Sequence, residues 1–266
     1  MDWPVPDMKR TSIDSVLVAG PDRRYDESAS READRMTGYG QFCPVAKTME
    51  VLDERWTILI IRELLAGSHY FNDLRRGVPK MSPALLSKRL RSLTRAGLVL
   101  RDDTGNRIRY ELTPGGRELA PVVMAIGNWG IRWMTQLGEA DLDPHLLMWD
   151  IHRNIDLDAV PDGRTVLSFH FTDVEHRSNR WWIVVEGHEV VDLCDADPGY
   201  EVLVTAHSTL LTMVRIWRGD VSWTSALRRG ELHLDGSGQA RRAFPQWLKL
   251  SVFAPAAQFP AAREGA

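Results

Sequence analysis

The stretch "SPALLSKRLRSLTRAGLVLRDDTGNRIRYELT", residues 82–113, constrains this chain more than any other. Leu86, Leu90 and Leu93 recur at steps of four and three, the spacing of one helix face. Ala84, Ser87, Lys88, Arg91 and Arg95 recur on another face. Ser82 is placed to cap this helix and Pro83 to occupy its first position. Beyond Gly97, "GLVLRDD" and "NRIRYELT" read as two strands joined by a turn at "DTGN". A helix with a leucine back and a basic front thus runs straight into a β-ribbon.

Around this core the rhythm is helical. Residues 44–52 form a short helix with Pro44 in its first turn. Asp53 is expected to cap a second helix, "ERWTILIIRELLAG", which closes at Gly67. "HYFNDLRRGVP" gives a third, stopped by Gly77 and Pro79. After the ribbon, "TPGGRELAPVVMAIGNWGIRWMTQL" reads as one long helix with an apolar face. Four helices, a two-stranded ribbon and a helix make a winged helix-turn-helix. The small residues Ser82, Ala84 and Ser87 allow close approach to base edges in a major groove. Lys88, Arg91 and Arg95 add charge for phosphates or guanine edges. Arg107 and Arg109, with Arg101, flank the ribbon turn, where a wing can touch the backbone or the minor groove. A solvated amphipathic helix is the alternative. The neighbouring helix, the ribbon and the local charge together favour DNA.

Charge is unevenly spread. Residues 36–137 hold 15 Lys and Arg against 9 Asp and Glu, a net of +6. Residues 138–266 hold 12 against 19, a net of −7. This suggests different partners for different domains. Residues 1–35, rich in charge and poor in apolar periodicity, read as a disordered extension, with Met36 a candidate alternative start. No apolar run approaches the ~18 residues of a membrane span. The first residues lack the basic start and apolar stretch of a signal peptide. Two cysteines, Cys43 and Cys194, make no disulfide framework, so a cytoplasmic location is expected.

The segments "CPVAKTMEVLDERWTILIIRELLAG", "YFNDLRRGVPKMSPALLSKRLRSLTRAGLV" and "YELTPGGREL" resemble the HxlR-type winged-helix regulators, relatives of the MarR group. The compact wing departs from the longer, proline-bearing arm frequent in that family. The resemblance implies a homodimer on a palindromic double-stranded DNA operator, joined through the first helix and the long helix after the wing. Val122, Val123, Ile126, Trp129 and Trp133 offer apolar surface for that contact; the alternative is that they cover the C-terminal half. Some such regulators sense oxidants or electrophiles through the Cys of the Cys-Pro pair, here Cys43. A helix N-terminus and Lys47, one turn on, would favour its thiolate. The alternative is a small buried apolar residue.

Beyond residue 137 strands dominate: "RTVLSFHFTD", "RWWIVVEG", "HEVVDLCDAD", "EVLVTAHS" and "ELHLDG". "HLLMWDIHRNI", "STLLTMVRIWRG" (capped by Ser208), "SWTSALRRG" and "GQARRAFPQWLKLS" are helices. Strands with helices on one side make an α+β domain. The "LLTMVRIWRGDVSWTSALRRGELHLDGS" stretch resembles the sterol carrier protein type two-like fold. That resemblance implies an apolar tunnel, to which Trp181, Trp182, Trp217 and Trp223 are assigned as ligand-binding residues; a solid aromatic core is the alternative.

Enzymatic motifs are missing. His145 with His152, and His170 with His176, have no evident third metal ligand, and no cofactor or metal is expected. The fold class is α+β: a winged helix-turn-helix domain at 36–138, a sterol-carrier-like domain at 139–260 and a tail at 261–266. The expected function is a DNA-binding transcriptional repressor modulated by an apolar small molecule. Two alternatives are a redox regulator acting through Cys43, and a lipid carrier with a vestigial helix-turn-helix.

Overall fold

The computed structural model describes residues 38–134, 136–187 and 189–257. The expected extension 1–35, Met36 and the tail 261–266 lie outside them.

The first half contains α1 (Pro44–Leu52), α2 (Thr57–Leu65), α3 (Phe71–Gly77) and α4 (Pro83–Arg95). The ribbon follows as β1 (Val99–Asp102) and β2 (Arg109–Leu112), antiparallel with Val99 opposite Leu112. Helix α4 starts where the sequence dictates: the Leu85 N–H donates to the Ser82 hydroxyl at 3.3 Å, with Pro83 in the first turn. Its Leu86, Leu90 and Leu93 are buried with Ile60, Ile61, Leu64 and Leu74. Gly97 adopts φ 71° just past the helix, letting the chain reverse into β1. Tyr70 bridges Arg109, and the Tyr110 N–H donates to the His69 carbonyl at 2.8 Å, so the ribbon is tied to the entry of α3.

Two helix boundaries in this half differ from expectation. Asp53 does not cap α2; its N–H donates to the Met49 carbonyl and closes α1. Helix α2 starts later, after Trp56, which stands at φ 79°. A bulky residue there costs on the order of 1–3 kcal/mol. Packing of the indole on the core and the Arg55 guanidinium 5.1 Å from the ring hold it in place. The single long helix after the wing is in fact two, α5 (Pro114–Arg117) and α6 (Ala120–Trp133). Pro121 has no N–H for the Arg117 carbonyl and its ring would clash there, so the helix must restart.

The second half opens with a 3₁₀ turn (Glu139–Asp141) and α7 (Pro144–His152), capped by the Asp143 carboxylate, which accepts from the His145 and Leu146 N–H groups. Strands β3 (Arg164–Phe171), β4 (Arg180–Glu186), β5 (Glu189–Cys194), β6 (Val204–Ser208) and β7 (Leu232–Gly236) form one sheet in the order β5-β4-β3-β6-β7. β6 runs parallel to β3; every other pair is antiparallel. Between β6 and β7 lie α8 (Leu210–Arg218) and α9 (Trp223–Arg229); α10 (Gly238–Trp247) and α11 (Ala254–Ala257) follow β7. Thr209, not Ser208, caps α8, receiving the Thr212 N–H at 3.1 Å, because Ser208 is still paired as the last residue of β6.

Leu167, Phe169, Ile183 and Val204 of the sheet pack with Met148, Ile216 and Phe244 of the helices. On the opposite sheet face, Val166, Trp182 and Val184 form a smaller cluster with Cys194 and Val202. The two halves touch where α7 meets α3 and α11 meets α6. At the second contact Gly127 leaves room for Phe253: a Cβ there would lie 2.2 Å from the ring.

Candidate nucleic-acid interface

The leucine back of α4 fixes where its front points. Ser82, Ala84, Lys88, Arg91 and Arg95 are exposed, and Ser87 is half-buried on the same side. No acidic residue stands in the first turn. The fourth cation of the helix, Arg89, is turned away: its guanidinium is ion-paired with Glu54, and its Nε donates to the Arg55 carbonyl at 3.3 Å. Arg95 makes only a long contact, 3.4 Å, to the Ser92 hydroxyl. The face therefore presents small side chains near the helix start and three cations below, all with water around them.

The wing is less open. Arg107 is exposed and lies over the Tyr70 ring at 4.2 Å, which stiffens it without neutralising it. Arg109 is half-buried, and its Nε meets the Glu111 carboxylate at 2.8 Å, so it is less available to a phosphate than Arg107. Arg101 is ion-paired with Asp103. Tyr70 as a support for Arg107 was not legible in the sequence, since it depends on a bridge between residues 39 positions apart.

Cys43 sits at the start of α1 and is half-buried. The backbone N–H groups of Ala46 and Val45 hold its thiol below the ordinary value. Lys47 gives no help, because its ammonium is held by Glu50 at 2.9 Å. Burial pushes the Cys194 thiol up to about 11.

The four tryptophans assigned to a tunnel do not share one lining. Trp181 and Trp217 are in the main core, with the Trp181 indole N–H on the Ser178 carbonyl at 2.8 Å. Trp223 packs at its edge, edge-on to Phe244 at 5.7 Å. Trp182 points to the opposite sheet face. Adjacent residues of a strand must face opposite ways, so Trp181 and Trp182 cannot line one cavity. His145 and His152 have separate partners: His145 is edge-on to Trp181, and His152 stacks on Trp149. Among the described residues no group of three His, Cys, Asp or Glu is arranged to hold a metal ion, and no helix is long and apolar enough to cross a membrane.

The first half of the chain is similar to known proteins. A model of the HxlR-like helix-turn-helix family matches residues 51–137. Among known proteins, the uncharacterized HTH-type transcriptional regulator YvaP of Bacillus subtilis is 38% identical over 98 residues, which are 35% of this chain and 91% of YvaP. An HTH-type transcriptional regulator of Synechocystis is 36% identical over 100 residues, 36% of this chain and 74% of its own length. Among solved structures, the reduced form of the transcriptional regulator YodB from Bacillus subtilis is 27% identical and has a TM-score of 0.32, covering 35% of this chain and 95% of that one.

Proposed function

The chain belongs to the HxlR-like helix-turn-helix family of transcriptional regulators, and from that premise we propose that it is a repressor that grips a palindromic operator as a homodimer through α4. The observation that carries this reading is the exposed stripe of Ser82, Ala84, Lys88, Arg91 and Arg95 on a helix anchored by three buried leucines. Each exposed cation that neutralises a phosphate releases counterions and steepens the salt dependence of binding.

The dimer rests on α6. Val123 and Ile131 are buried, but Val122, Ile126, Trp129 and Trp133 form a second stripe that is 42–53% exposed. Phe42, Val45 and Met49, at or beside α1, are exposed as well. So much apolar surface on two helices fits a self-complementary contact between two copies.

The C-terminal domain is read as a sterol-carrier-like module that holds an apolar effector among residues such as Trp217, Trp223 and Phe244. The second reading, redox control through Cys43, draws on the lowered thiol value at the α1 N-terminus. Replacing Cys43 with Ser and measuring DNA release by oxidant separates the two. Native mass spectrometry of the purified protein reports both the dimer and any co-purifying lipid-like mass.

The deciding experiment is a titration of duplex DNA from upstream of its own gene with wild type and Lys88→Ala/Arg91→Ala. The double variant should bind more weakly and its log–log salt slope should flatten by about two. Unchanged affinity removes α4 as the recognition helix.

A further inference from the structure

Glu63 is fully buried in α2, at a spot only a glycine opposite allows: a Cβ on Gly77, the last residue of α3, would lie 1.9 Å from its carboxylate. An unpaired carboxylate in that place would be very costly. Two guanidiniums prevent this. Arg62 donates to Oε1 from Nε at 3.1 Å and from Nη2 at 2.7 Å. The same Nη2 also donates to the Gly77 carbonyl at 2.9 Å, pinning the end of α3. Arg153 donates to Oε2 from Nη1 at 2.7 Å and to Oε1 from Nη2 at 3.3 Å. The Ser68 hydroxyl completes the set at 3.3 Å. Burial drives the Glu63 carboxyl up, but Arg153 and Arg62 outweigh it and keep it ionised.

The two guanidiniums come from different domains. Arg62 is the neighbour of Glu63 on α2, whereas Arg153 caps the C-terminus of α7, 90 residues beyond Glu63 and outside the span 51–137 that the family shares. Arg153 is itself oriented by Asp150, with which it is ion-paired. Beside it the Arg76 guanidinium of α3 lies 5.1 Å from the Trp149 ring of α7. So the C-terminal domain supplies half of the charge that stabilises a buried carboxylate between α2 and α3. Past α3, Val78 and Met81 are buried in the same core as Leu86 and Leu90 of α4. A shift of α7 would withdraw Arg153, leave Glu63 with one cation, and loosen the α2–α3 pair on which α4 is seated.

We infer that Arg153 is a positioning residue for DNA binding, the bidentate link through which the C-terminal domain sets the geometry of the helix-turn-helix. The inference rests on the proposed reading that α4 binds DNA. Its test uses the full chain, a duplex selected from a random library by the wild-type protein, and two readouts. The first is affinity with its salt slope; the second is hydrogen exchange of residues 57–82 without DNA. Arg153→Met should weaken binding by about tenfold. It should leave the salt slope unchanged, because Arg153 meets no phosphate, and should lower protection of α2 and α3. Arg153→Lys should recover part of both, since an ammonium restores charge without the two-pronged geometry. If Arg153→Met fails to fold, Glu63→Gln/Arg153→Met removes the buried carboxylate together with its cross-domain partner, and the same weakening at unchanged slope is expected of it.

Wild-type affinity in the folded variants overturns the inference, whatever happens to exchange. A slope that falls by about one also overturns it, because Arg153 would then touch DNA directly. If the wild-type protein selects no duplex, the DNA-binding reading fails, and the exchange arm still decides whether Arg153 holds α2 and α3.

Discussion

Helices α4 and α6 are built alike on one side and oppositely on the other. Each buries an apolar stripe in the same domain core: Leu86, Leu90 and Leu93 on α4, Val123 on α6. Outward, α4 shows Lys88, Arg91 and Arg95, while α6 shows Val122, Ile126, Trp129 and Trp133. Water accepts the first face at no cost, whereas the second loses free energy for every apolar area left wet. The cationic face suits a polyanion that is met and released. The apolar face suits a partner of the same kind that stays.

The largest expected effect breaks the α6 side. Ile126→Glu/Trp129→Glu should dissociate the proposed dimer, with a loss of about 4 kcal/mol or more if these residues sit at the centre of the contact. Sedimentation would then report half the mass, and operator affinity should fall with it. A variant of wild-type mass shows that α6 does not carry the dimer. Leu90→Ala attacks α4 from behind. It should lower unfolding stability by about 2–5 kcal/mol, measured by urea titration, while leaving the mass by sedimentation in native buffer unchanged.

Ser82→Ala removes the cap of α4 and should cost about 1 kcal/mol, read as a lower Tm by calorimetry. The effect that is smallest at neutral pH, and grows on acidification, concerns the interdomain contact. Burial, helped by the nearby Arg76, pushes the His152 imidazole from its ordinary 6.5 down to about 4, although Asp192 pulls the other way. The folded chain therefore keeps His152 neutral where the unfolded chain would protonate it. Its contribution to stability is full above about pH 6.5 and is lost as pH falls toward about 4. His152→Phe should flatten the pH dependence of the urea midpoint in that window; identical curves for both proteins would show that His152 is not held neutral.

Local features were legible in the sequence and distant ones were not. Ser82-Pro83 and the 86/90/93 leucine spacing locate α4 because capping and helix periodicity act within one or two turns. Pro121 carried the signal that the helix after the wing must restart, but the strong apolar pattern on both sides masked it. The opposite orientation of Trp181 and Trp182 was readable from strand alternation alone. The parallel pairing of β3 with β6, and the Glu63–Arg153 link, join residues far apart in the chain, and nothing in their neighbourhoods names the partner. The Lys47–Glu50 pair, at i and i+3 of α1, is by contrast a local feature that helix spacing makes legible.

Hydrogen exchange with and without bound duplex DNA tests most directly whether the cationic face of α4 is the DNA-reading surface. Added DNA should protect peptides from residues 82–95, with a smaller change at the wing around Arg107, and leave α6 as protected as it is in the free protein. Protection confined to other segments, with residues 82–95 exchanging as in the free protein, would contradict it.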